Sequence, residues 1–169
     1  MELSRSVEHS VLDHVSGLFT SPPDTLLGAW NVYGEDEFVN PLFAPTAPFV
    51  WILDADVRPT PSRLPLILIE REPYVGLPFE LGTEAGTIWA FRVDIFGRNR
   101  GERGDLAHYV YQHLVRLGLY DYATDPRTFV ETVTILRRMS GLLPARPDAA
   151  WEGTLQLGES ILFDFQTQS

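Results

Sequence analysis

From Thr87 to Phe96 the chain alternates. Trp89, Phe91, Val93 and Ile95 fall on one face, and Ile88, Ala90, Arg92, Asp94 and Phe96 on the other, so one side is wholly apolar and the other mixed. That pattern predicts a half-buried antiparallel strand, not the continuous apolar run of a strand covered on both faces. Past Gly97, Arg98-Asn99-Arg100-Gly101 predicts a turn. From Glu102 the period changes to four and three. Leu106, Val110, Leu114 and Leu117 form one helical stripe, Glu102 and Asp105 place acids in the first turn, and Gly118 is positioned to stop the helix. Tyr109, Tyr111 and His113 lie off the stripe, as rim or contact residues. Arg92 and Asp94 can pair with each other or with a neighbouring strand, and as an exposed pair they would add little stability.

The same reading extends along the chain. Val7, Val11, Val15 and Leu18, with Leu12 and Phe19 beside them, predict a helix from Glu2 to Phe19, closed by Pro22-Pro23. Thr25 to Tyr33 suits a short strand. Residues 34–65 then carry six prolines, the acidic run Glu35-Asp36-Glu37, and Phe38, Phe43, Phe49 and Trp51. So many large apolar groups do not suit a disordered linker; they predict an ordered loop or arm that docks on the domain itself or on another subunit. Leu66 to Ile69 reads as a central strand ended by Glu70-Arg71-Glu72-Pro73, and Tyr74 to Ala85 as a connection. Thr128 to Arg138 is rich in β-branched residues and predicts a strand, Ser140 to Glu152 a loop, and Thr154 to Gln166 a last strand or hairpin with Ile161, Phe163 and Phe165 on one face. No internal repeat is present. The order predicts one α+β domain over residues 1–169: a twisted, mainly antiparallel sheet of about four to five strands, two helices packed on one face, and the 34–65 excursion.

Length and composition narrow the function. At 169 residues the chain can bury a real core, and no apolar run reaches the length of a membrane span. The N-terminus does not read as a signal peptide, which makes the cytoplasm the default compartment. Cysteine is absent, which excludes disulfides, thiolate catalysis and thiolate zinc sites. The net charge of −10 argues against a protein that wraps nucleic acid. All 13 basic residues are arginine, so a phosphate-loop lysine and a Schiff-base lysine are excluded as well.

Candidate chemistry is sparse. Gly97, Gly101 and Gly104 follow a strand and open a helix, but their spacing is not that of a dinucleotide loop and the strand before them is half polar. Asp54/Asp56 and Glu70/Glu72 are same-face carboxylate pairs when extended, yet no further ligand or partner base accompanies them, which favours solvated or interface-paired acids. His9 and His14, like His108 and His113, are five apart and so about 140° around a helix, unlike zinc ligands at i, i+4. His9 with Asp13 and Asp105 with His108 would combine only if the two helices were adjacent. No nucleophile elbow surrounds any serine. The residues therefore identify no catalytic, cofactor-binding or metal site.

The segment FRVDIFGRNRGERGDLAHYVYQHL resembles the core of tail terminator and head-tail joining (neck) proteins of tailed bacteriophages. In those a strand ending near Val-Asp runs through an Arg/Gly turn into a helix with spaced Leu/Ala. The matching positions are Phe91, Val93, Asp94, Ile95, Phe96, Gly97, Arg98, Arg100, Leu106, Ala107, Val110 and Leu114. The resemblance covers about Leu64 to Arg138; the 34–65 excursion and the C-terminal strand region depart from it. It implies a small non-catalytic α+β subunit, without cofactor, in a virion assembled in the host cytoplasm. Such subunits form a ring, usually a hexamer, that caps the tail tube and joins it to the head through other neck, tube or portal-side proteins, with no membrane partner. Under that reading Phe38, Phe43, Phe49, Trp51, Arg98, Arg100 and Arg103 are candidate interface residues. Glu35, Asp36 and Glu37 are candidates for an acidic channel lining, since six copies at −10 carry about −60 and let DNA pass without sticking. A binding or adaptor module holding a single partner is the alternative, and a metal-dependent enzyme the remaining one.

Overall fold

The computed structural model describes residues 3–20, 31–32, 49–52, 65–72, 87–142 and 158–167. Two helices, α1 (Leu3–Thr20) and α2 (Arg100–His113), pack on one face of a sheet. Its strands are β1 (Asn31–Val32), β2 (Phe49–Ile52), β3 (Leu66–Arg71), β4 (Thr87–Phe96), β5 (Arg116–Asp121), β6 (Thr128–Leu142) and β7 (Gly158–Thr167). In space they run β1-β2-β3-β4-β7-β6-β5. From β3 to β5 every pairing is antiparallel, which gives the α+β architecture expected from the alternation. The short strands β1 and β2 extend that five-stranded sheet in parallel.

The alternation in β4 decides where the core lies. Phe91, Val93 and Ile95 are fully buried, joined by Ile67 and Ile69 of β3 and Ile161, Phe163 and Phe165 of β7. Phe91 stacks on Phe163 and Phe165 at 5.8 and 6.0 Å between ring centroids, a spacing that adds ring–ring attraction to the burial. Over this face lie Val7, Val11, Val15 and Phe19 of α1 and Leu106, Ala107 and Val110 of α2.

The strand–turn–helix unit forms with two differences. The helix starts at Arg100, two residues before the expected Glu102, because Asn99 caps it. The Asn99 side chain accepts from the Glu102 N–H at 2.9 Å, and the Glu102 carboxylate reaches back to the Arg98 N–H at 2.7 Å, the reciprocal logic of a capping box. Gly97 is required by close approach: a Cβ there would sit 2.5 Å from the Arg103 backbone nitrogen. At the other end the helix stops at His113, not at Gly118. Leu114 and Leu117 are buried as predicted but lie beyond the helix, and Gly118 is inside β5, paired with Thr132. The leucines satisfy two periods. The 114/117 spacing suits a helix, whereas 117/119 alternates as a strand, and the long β-branched strand alongside settles the choice.

Three further boundaries move. Within 34–65 the backbone of Phe49–Ile52 is a strand, β2, in register with Leu66–Ile69. Of the expected strand at 25–33 only Asn31–Val32 is described as strand. Strand β6 runs on through the expected start of a loop at Ser140 to Leu142. Phe38, Phe43, Glu35, Asp36, Glu37, Asp54 and Asp56 lie outside the described residues, as do the Tyr74–Ala85 connection and most of 140–152.

Sheet edges are handled unequally. The outer edge of β5 is closed by α1. Ser10 Oγ accepts from the Tyr120 N–H at 3.0 Å and Ser6 Oγ from the Tyr122 N–H at 3.3 Å, and both serines are buried. Such cover removes a template for unwanted strand addition. Strand β6 outlasts its neighbour: residues up to Thr134 pair with β5, whereas Ile135–Leu142 pair with β7 on the other side.

Candidate functional site

The helices cover one face of the sheet. On β3 and β4 the opposite face carries a charged cluster centred on Arg92 and, further along the same strands, the buried Leu66, Leu68 and Phe96. The Arg92 guanidinium meets Asp94 at 3.1 Å, Glu72 at 2.8 Å and Glu70 more closely still, and Asp94 also accepts from the Ser160 hydroxyl at 2.8 Å. Burial works against the charged guanidinium, but Asp94, Glu70 and Glu72 outweigh it and raise its pKa above the ordinary arginine value. The predicted Arg92/Asp94 pair is thus the middle of a half-buried network. Among the described residues no three His, Asp or Glu side chains are grouped to hold a metal ion.

On β6 and β7 the outer face carries apolar residues among Ser160, Asp164, Gln166 and Arg137. Leu162 lies between the buried Ile161 and Phe163 and so faces away from the helices. Met139 is its register partner. Met139 is 65% exposed and Leu136 55%, and along the same strand Phe129 and Val130 are exposed as well. Leu136 is the extra residue at a register shift between Ile135 and Arg137, where a bulge re-aims side chains. A polar margin flanks this row: Arg137 bonds Asp164 at 2.8 Å through Nε. Arg138 turns inward, its guanidinium 4.3 Å from the Tyr111 ring centre and hydrogen-bonded to the Tyr111 carbonyl. Single exposed apolar side chains are ordinary on any surface, but a contiguous row marks a contact surface.

The residues singled out from sequence do not converge. Arg98 and Arg100 are exposed at the start of α2, Arg98 gripping Glu102 at 2.6 Å. Burial would raise the Glu102 carboxyl, but hydrogen bonds and charge from Arg98 outweigh it and hold its pKa below the usual value. Arg103 instead turns inward toward Glu159 of β7, with Nε 3.7 Å away. The backbones of Phe49 and Trp51 lie in β2. Each histidine has a separate setting. His9 lies against Tyr122 with the two rings tilted, and His108 meets Gln112 at 2.8 Å. His14 hydrogen-bonds the His113 carbonyl at 3.1 Å, beside Tyr109, whose hydroxyl donates to the Leu18 carbonyl at 2.8 Å. The two helices do touch, but through their C-terminal halves, and Asp13 is taken by Arg127 and Tyr122. Burial lowers the His14 pKa, against the His113 carbonyl, which raises it. Tyr109 and Tyr111 likewise serve internal contacts.

A depression of about 360 Å³ lined by Arg5, Ser6, His9, Tyr122 and Ala123 opens beside the N-terminal half of α1. Its polar groups serve the fold: Ser6 closes the β5 edge, and Tyr122 is held by Asp13 and Arg127. The apolar row of Leu136, Met139 and Leu162 was missed from sequence because the strand read over Thr128–Arg138 stops one residue short of Met139, and only the β6–β7 register sets Leu162 beside it. The continuous apolar run Ile161-Leu162-Phe163, with one residue too many for a strand wet on one side, was the available signal. Neither a scan against protein-family models nor a search of curated proteins gives a match for this chain.

Proposed function

We propose that this chain is a non-catalytic assembly subunit, and that the assembly is the ring at the neck or tail terminus of a tailed phage, which caps the tail tube and joins it to the head. The observation that carries the assembly part is the uncovered apolar row of β6 and β7, on the face opposite both helices. An apolar core with a polar margin is how protein contact surfaces are built. The phage part rests on the likeness of residues 91–114 to neck and terminator proteins. The charge of −10 suits a conduit that repels passing DNA phosphates. In this reading Arg98 and Arg100, exposed at the α2 start, are available for contacts with neighbouring subunits, and the aromatics and acids of 34–51 remain candidates for interface and channel.

Light scattering of the purified chain, alone and with tail-tube protein, tests the reading. The expected mass is a multiple of the 19.1 kDa chain mass, on mixing if not before. A monomer at every concentration, with no shift on adding tube or portal-side protein, removes it. A monomer or dimer that captures a single partner would favour the adaptor alternative.

A further inference from the structure

We infer that the open edge of β6, residues 136–142, is a twofold contact at which a second copy of this chain adds its own β6 antiparallel, centred on Met139. Among the described residues no strand pairs with that edge, whereas the edge of β5 is closed by Ser6 and Ser10. An unpaired strand edge presents a row of amide and carbonyl groups that another strand satisfies. Leu136, Arg137, Met139 and Ser140 on it are exposed, Met139 the most exposed of the large apolar residues described.

Charge and register favour a second copy as the occupant. Two chains at −10 repel wherever acidic surfaces meet, but residues 116–142 carry four arginines against three acids. The two arginines at the edge are already held by internal acceptors, Arg137 by Asp164 and Arg138 by the Tyr111 carbonyl. Centring the pairing on Met139 puts Met139 opposite itself, Arg138 opposite Ser140 and Arg137 opposite Gly141, so no like charges face each other. Registers centred on 137 or 138 bring arginines together. Because Leu162 is the β7 register partner of Met139, the twofold creates an apolar line across the outer face: Leu162, Met139, then the second copy's Met139 and Leu162. Such a patch is its own complement, as a twofold interface requires. The contact deepens the assembly reading and closes at two copies, so a ring containing it needs a separate, heterologous contact as well.

Disulfide trapping in the full chain tests the contact, since the sequence holds no cysteine. Directly opposed residues in an antiparallel pair have Cα atoms roughly 4.5–5.5 Å apart, within disulfide reach. Under mild copper-phenanthroline oxidation Met139→Cys is expected to form a linked dimer about tenfold faster than Thr132→Cys. Thr132 is exposed on the same strand where β5 occupies the edge. Equal rates overturn the proposal. As a second measurement, Met139→Glu and Met139→Arg, each with the parent circular dichroism spectrum, are expected to lose the contact alone and to regain it as a one-to-one mixture in sedimentation velocity. A mixture that stays apart overturns the proposal too. If trapping fails while the parent chain remains oligomeric, the edge contact falls and the assembly reading stands; if the parent is also monomeric with every partner, both fall.

Discussion

Replacing Arg92 with methionine removes the cation at the centre of the charged cluster on β3 and β4 while keeping a stem of similar length. Three carboxylates, Glu70, Glu72 and Asp94, are then left close together. An exposed ion pair is worth about 0–1 kcal/mol and a fully buried one broken on one side about 3–5 kcal/mol. The four side chains are 12–27% exposed, so the cost lies between those limits, about 2 kcal/mol at neutral pH. For a domain of this size that lowers Tm by about 4–8 °C in differential scanning calorimetry. Tm values within about 1 °C of each other at neutral pH would refute the network as a source of stability.

Two glycines of the same unit are expected to respond oppositely to alanine. Gly97→Ala places a methyl against the Arg103 backbone and should cost about 3 kcal/mol. Gly104→Ala, with open space at its Cβ inside α2, should gain about 0.5–1 kcal/mol in urea denaturation. His14, whose folded-state pKa is lowered by burial from 6.5, makes the native state bind fewer protons than the unfolded one. Stability is therefore full above pH 6.5 and declines as pH falls below it. His14→Gln should flatten that decline in urea titrations across this range, and a slope equal to the parent's would remove His14 as its source.

The β4 alternation was legible because burial on one face and a charged network on the other leave a period-two record. The helical stripes of α1 and α2 were legible for the same reason, at the period of 3.6. The end of α2 was not, since Leu114, Leu117 and Leu119 fit helix and strand equally, and a partner strand more than ten residues later decided between them. The Ser6 and Ser10 contacts with β5 were invisible because a buried serine on a helix face reads as a polar interruption until the strand whose amides it receives is in place. The candidate site was the least legible part. Met139 and Leu162 are not adjacent in sequence, and only the β6–β7 register makes them a row.

The outer face also bears on the functional reading. On β3 and β4 its charges are satisfied internally, Arg92 by its acids. On β7 the same face runs Ser160, Leu162, Asp164 and Gln166, so Leu162 and its register partner Met139 are apolar exceptions among polar positions. Among the described residues the edge of β6 beside Met139 has no paired strand, although α1 closes the neighbouring edge through two buried serines. A strand added there would satisfy the edge and shield Met139 at once, which solvation alone does not do.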